Sequence, residues 1–219
     1  MIALYPSLMA ADLLNLKSEI TKLEPHCNGF HMDVMDHTLV PNLTWGPDIV
    51  NAVRKVSKKT IWVDLLVDRP TLYLDKLELH RGDIVTLHHE SRSIMQDKEE
   101  FSQLVTQLKE RGLTVSIAIS PKTPVKVFAG YLDQIDHAIL MSVEPGFSGN
   151  PFMRSTLTRL PELHTMIKQK GRKIMVGLDG GINEETFLQV KPLGVDIAAI
   201  GSGIFGRPDA IKALKWYNQ

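Results

Sequence analysis

The feature that most constrains this chain is an alternation repeated eight times. Short apolar runs rich in β-branched residues fall at 3–9, 30–35, 61–67, 84–88, 114–119, 138–143, 174–178 and 197–200, each about the length of a β-strand. Between them, as at 18–23, 47–56, 98–111 and 155–169, the apolar residues switch to three- and four-residue spacing, the period of an amphipathic helix. Gly112, Gly171 and Gly194 stand where such helices should stop and the next strand begin. Eight strand–helix units in 219 residues, with no Pro/Gly/Ser-rich linker, predict one α/β domain over 1–219, a (β/α)8 TIM barrel at the compact end of its size range. The competing architecture, a doubly wound open sheet, usually carries a G-x-G-x-x-G turn after its first strand. This chain has Ala10-Ala11-Asp12 there.

Charge limits what such a barrel can hold. Lys+Arg and Asp+Glu are both 25, so there is no bulk attraction to nucleic acid or to an anionic membrane, and any phosphate site must be local. No run approaches the ~20 apolar residues of a membrane span. The opening MIALYPSLMAAD lacks the basic region and long apolar run of a signal peptide. The single cysteine, Cys27, excludes an internal disulfide and fits a reducing compartment. The expected setting is cytoplasmic, with a small molecule as partner and neither nucleic acid nor membrane.

Chemistry in a (β/α)8 barrel sits at the C-terminal ends of the strands, and the unusual residues of this chain collect there. Strand two reads His31-Met32-Asp33-Val34-Met35-Asp36. Period-two alternation puts His31, Asp33 and Met35 on one face and Met32 and Val34 on the other. A strand buried on both sides should be almost continuously apolar, so two ionisable groups on its inner face demand partners. Asp64 on strand three and Asp179 at the end of strand seven converge on the same mouth. Three aspartates and a histidine there point to a divalent metal, or to carboxyls with separated proton affinities for acid–base work. Glycine pairs follow strand seven (Gly180-Gly181) and strand eight (Gly201-Ser202-Gly203), the two loops that usually bind phosphate in this architecture. The loop Glu144-Pro145-Gly146-Phe147-Ser148-Gly149-Asn150 has the composition of a mobile lid.

Together these stretches resemble the ribulose-phosphate 3-epimerases. The resemblance is carried by Pro6-Ser7-Leu8, by HMDVMD at 31–36 with LVPNLTWGP at 39–47, by MSVEPGFSGNPFM at 141–153, by LDGGI at 178–182 and by GSGIFG at 201–206. It implies a ribulose-phosphate-binding barrel that interconverts D-ribulose 5-phosphate and D-xylulose 5-phosphate through a metal-stabilised enediolate. On that pattern Asp33 and Asp179 are the acid–base pair, and they share one divalent ion with His31 and the strand-three position. Ser7, Gly146, Phe147, Ser148, Gly149, Gly180, Gly181, Gly201 and Ser202 match positions that hold the sugar phosphate. Met35 and Met141 match an apolar methionine floor. The family commonly forms dimers or hexamers, so a homo-oligomer is expected.

Strand three departs from the pattern. The family usually reads Val-His-Leu-Met-Val there, and this chain reads Val63-Asp64-Leu65-Leu66-Val67. Ser120-Pro121 replaces an Asn-Pro, and His37 follows Asp36 where glycine is usual. Asp64 either ligates the metal or is too short and leaves the place to His37 or another group. As a ligand it would make a harder, more anionic site, favouring manganese, magnesium or ferrous iron over zinc. The same departures admit epimerisation of another ketose phosphate, such as D-allulose 6-phosphate. They also admit a non-catalytic sugar-phosphate-binding barrel. Related sugar-phosphate decarboxylases use Asp-x-Lys-x-x-Asp on strand three, but Leu66 stands here where the lysine would be. Of His88 and His89, one is expected to face the pocket mouth as a hydrogen-bonded rim histidine. Trp45 and Trp62 are expected to pack.

Overall fold

In the computed structural model, which describes residues 1–96 and 98–219, eight parallel strands form one sheet in the order β1-β8-β7-β6-β5-β4-β3-β2. They are β1 (Ala3–Pro6), β2 (Gly29–Met35), β3 (Thr60–Leu66), β4 (Ile84–His88), β5 (Thr114–Ile119), β6 (His137–Met141), β7 (Met175–Asp179) and β8 (Ile197–Ile200). A parallel bridge between Ser7 and His31 brings β1 against β2 and closes the TIM barrel. The helices described are α1 (Leu16–Leu23), α2 (Pro47–Val56), α3 (Thr71–Leu74), α4 (Arg92–Gln96), α5 (Lys98–Glu110), α6 (Thr156–Lys170), α7 (Glu184–Val190), α8 (Ser202–Phe205) and α9 (Ala210–Tyr217).

Each helix starts and stops for local reasons. Pro47 opens α2 at a position where its missing N–H costs nothing. Asn183 and Thr186 form a capping box at α7, and Asp209 caps α9. The expected glycine stops hold: Gly171 ends α6 at φ 69°, and Gly112 and Gly194 also adopt left-handed backbone.

Period two divides the core into two layers. Outward residues such as Phe30, Met32, Val34, Val63, Val85, Ile117 and Leu178 pack under the helices. Inward residues Tyr5, Trp62, Ile84, Ala118, Ile139 and Ile197 fill the barrel. The filling is tight: a Cβ on Gly177 would lie 2.4 Å from Ile139 Cδ1. Trp62 is fully buried, edge-on to Tyr5 and His31, and its Nε1 donates to Thr86 Oγ1 at 2.7 Å. It packs, as expected, and forms part of the floor under the polar residues above it.

Two strand ends differ from the sequence reading by more than one residue. The run 3–9 stops as a strand at Pro6, because Ala10 and Ala11 fold back onto the Ser7 and Leu8 carbonyls in a 3-10 turn. The apolarity of Leu8 and Met9 serves the core and the pocket, not the sheet. The run 138–143 ends at Met141, where the Ser142 hydroxyl turns to bond the Gly180 carbonyl.

Candidate active site and metal centre

Register brings the polar residues of different strands to one level. Asp33 on β2 stands opposite Asp64 on β3, and Asp179 on β7 opposite Met141 on β6 and Ala199 on β8. His31, Asp33, Asp64 and Asp179 each offer one ligand atom, all within 4.8 Å of one another and all buried. Ligands at about 2.0–2.2 Å from a common cation stand at most about 4.4 Å apart, so these four fit one ion after a shift of a few tenths of an ångström.

Hydrogen bonds fix which atoms face inward. Ser7 Oγ donates to Asp33 Oδ2 at 3.0 Å, which leaves its oxygen to accept from His31 Nδ1 at 3.3 Å. In the neutral imidazole that arrangement puts the lone pair on Nε2. His31 Nε2 lies 3.7 Å from Asp64 Oδ2 and 3.7 Å from Asp179 Oδ2. Neither His31 Nε2 nor Asp64 Oδ2 has a hydrogen-bond partner among the described residues. Two bare, fully buried polar atoms aimed at each other are costly unless something positive lies between them.

Proton affinities in the cluster carry the same message. Burial alone would lower His31, but the Asp33 and Asp179 carboxylates outweigh it and hold the imidazole well above its usual value. Burial, opposed by His31 and reinforced by Asp33 and Asp64, pushes Asp179 up to about 7. Asp64 moves the other way, to about 2: burial would raise it, but His88 and His31 together prevail. Three carboxyls cannot all carry their charge cheaply in this space, and a divalent cation relieves the crowding.

Every residue expected to hold substrate lines one pocket above this cluster. Ser7, Met35, Met141, Gly146, Phe147, Ser148, Gly149, Gly180, Gly181, Gly201 and Ser202 line it, with Asp33 and Asp179 at its base. Leu66, at the strand-three departure, and Pro145 and Asn150 of the lid loop also line it, together with Met9, Val143 and Ile182, which were not anticipated. Gly180 and Gly181 have φ of 99° and 66°, and a Cβ on either would meet Val143 or the Phe152 backbone within 3 Å. The 144–150 loop folds over the pocket. Asn42 Nδ2 donates to the Gly146 carbonyl at 2.6 Å, and Asn150 Nδ2 donates to the Glu144 carbonyl at 2.7 Å. Asn42 is a contact that sequence reading missed, because its partner lies 104 residues away.

Two expectations need adjustment. His88 is not on the rim: it is 1% exposed, and its Nε2 contacts Asp64 Oδ1 at 2.6 Å. Its inward direction was readable by counting in twos from Ile84, but its partner was not. His89 is the partly exposed one, paired with the Tyr131 hydroxyl at 2.7 Å. His37 stands outside the four-residue cluster, at φ 67°, the one non-glycine with left-handed backbone among the described residues. That conformation explains why a glycine suits the position.

The sequence model of the ribulose-phosphate 3 epimerase family matches residues 3–205. The ribulose-phosphate 3-epimerase of Bacillus subtilis (strain 168) is 34% identical over 216 residues, covering 98% of this chain and 97% of that protein. The chloroplastic ribulose-5-phosphate-3-epimerase of Arabidopsis thaliana is 31% identical, covering 98% of this chain and 75% of that protein. Among solved structures, KGPDC from Streptococcus mutans superposes with a TM-score of 0.69 at 15% identity, covering 100% of this chain and 96% of that one. The 3-hexulose-6-phosphate synthase of Salmonella typhimurium superposes with a TM-score of 0.70 at 18% identity, covering 100% and 97%. At those identities the two structures speak for the barrel fold alone.

Proposed function

The chain belongs to the ribulose-phosphate 3-epimerase family, and on that premise we propose that this isomerase interconverts D-ribulose 5-phosphate and D-xylulose 5-phosphate by inverting C3. The observation that carries the reading is the flanking of one imidazole by two carboxyls at the base of one pocket. Asp33 Oδ2 lies 3.4 Å from His31 Nδ1, and Asp179 Oδ2 lies 3.7 Å from Nε2. Inversion by proton transfer needs a base on one face of the carbon and an acid on the other, because a single group returns the proton to the face it left. Asp33, with the Ser7 hydroxyl donating to it, removes the C3 proton in one direction. Asp179, on the other side of the His31 ring, delivers a proton to the opposite face. In the reverse reaction the two exchange roles.

His31, Asp33, Asp64 and Asp179 would hold one divalent ion. When bound, it supplies Lewis acidity toward the C2 carbonyl and C3 hydroxyl oxygens of the sugar. One imidazole and three carboxylates form a hard donor set, which favours manganese, magnesium or ferrous iron over zinc. The Gly180-Gly181 and Gly201-Ser202 backbone receives the phosphate, and the 146–149 loop covers the sugar and excludes water. Met35, Met141 and Leu66 give the reacting carbons an apolar wall in which polarizable sulfur adapts to either epimer. Leu66 also speaks against decarboxylation, since its buried apolar side chain packs with Met35 and Val40 and can donate no proton.

Turnover of D-ribulose 5-phosphate by metal-stripped protein, with zinc, manganese, magnesium or iron restored singly, tests this. Recovery of epimerisation with a hard divalent ion is expected. No turnover with any of the four would overturn the reading.

A further inference from the structure

We propose that His88 is a positioning residue that decides which oxygen of Asp64 faces the metal, compensating for an aspartate on β3. The proposal rests on the reading that the four clustered side chains hold a divalent cation. A ring nitrogen offers a metal one lone pair in one direction. A carboxylate offers two like oxygens, and its terminal torsion is soft, so an aspartate alone specifies neither the oxygen nor the direction.

Here the ambiguity is removed from behind. The register partner of Asp64 on β4 is Thr86, but that hydroxyl is engaged by Trp62 Nε1. The next inward position on β4 is His88, and its Nε2 reaches Asp64 Oδ1 at 2.6 Å, with both side chains essentially free of solvent. Oδ1 is therefore taken. Oδ2 is left with no partner among the described residues, 3.7 Å from the equally bare His31 Nε2. Metal-ligating histidines are commonly oriented by a carboxylate behind them. This chain has the same pair turned round, with a carboxylate at the cluster and a histidine behind it.

The test measures metal affinity without turnover. Full-length protein is stripped of metal and titrated with manganese at fixed pH, alongside His88→Leu, His88→Asn and His88→Gln. Loss of the orienting bond should weaken manganese binding about 10–100-fold in His88→Leu. His88→Asn, polar but too short to reach Oδ1, should behave likewise and serves if the leucine variant does not fold. His88→Gln, whose carboxamide can still donate to Oδ1, should stay within about threefold of the parent. In an Asp64→Asn background, His88→Leu should add nothing further. Parent-like affinity in both His88→Leu and His88→Asn would overturn the proposal while leaving the metal reading intact. So would a glutamine variant as weak as leucine, or an equal loss in the Asp64→Asn background. A parent protein that binds no divalent ion would remove the metal reading and this proposal with it.

Discussion

Replacing Asp179 with asparagine should stabilise the metal-stripped protein at pH 8, although it removes a proposed ligand and catalytic group. Burial and the neighbouring Asp33 and Asp64 raise the Asp179 carboxyl from 3.8 to about 7. Each pH unit of such a displacement is worth ~1.4 kcal/mol between the two protonation states. A carboxyl whose folded value lies above its unfolded one costs nothing below about pH 4, where it is protonated in both states. The cost grows as pH rises and levels off above the folded value. Full displacement gives an upper bound of about 4 kcal/mol at pH 8, and on the order of 2–4 kcal/mol is expected after the amide has found its own hydrogen bonds. For a chain of this size that corresponds to about 5–15 °C in Tm. The assay is thermal or urea unfolding of the metal-stripped parent and Asp179→Asn at pH 4 and pH 8. The variant should lead at pH 8 and lose its lead at pH 4. A variant no more stable than the parent at pH 8 would refute the reasoning that the carboxyls crowd one another.

Three further outcomes follow from the same geometry. Metal binding must displace protons held by His31, raised above its usual value, and by Asp179, at about 7, so manganese affinity should fall as pH drops from 8 to 6. A flat profile in titrations at pH 6, 7 and 8 would contradict this. Asn42→Ala removes the bond that ties the lid to the β2 side, worth ~1 kcal/mol, and should lower kcat/KM about fivefold with the fold unchanged. An unchanged kcat/KM would free the lid of that tie. Gly177→Ala forces a methyl toward Ile139 and Ile197 in the filled barrel interior and should cost about 1–3 kcal/mol in urea unfolding, with neutrality as the contrary result.

The barrel was legible in the sequence because a parallel strand buried on both faces leaves a dense apolar run, and helices of period 3.6 leave a different one. The same period-two count on β2 set His31 and Asp33 on the inner face, since direction along a strand depends only on parity. What parity does not give is stagger. Asp33 opposite Asp64 follows from register, and the reach of His88 past Thr86 follows from which hydroxyl Trp62 had already engaged. The Asn42 tie to Gly146 joins two loops with no periodic signal in either. The early end of β1 was hidden because Leu8 and Met9 are apolar for reasons unrelated to the sheet.

The most direct test of two carboxyls acting on opposite faces follows the C3 hydrogen itself. Metal-loaded protein is given D-ribulose 5-phosphate in deuterium oxide, and the product is read by NMR, with Asp33→Asn and Asp179→Asn in parallel. The account predicts one solvent-derived deuterium at C3 of each D-xylulose 5-phosphate formed, because the proton removed and the proton returned belong to different side chains. It also predicts that either variant loses at least about a thousandfold in epimerisation. Product carrying the original hydrogen at C3, or an Asp33→Asn variant that turns over within tenfold of the parent, would contradict it.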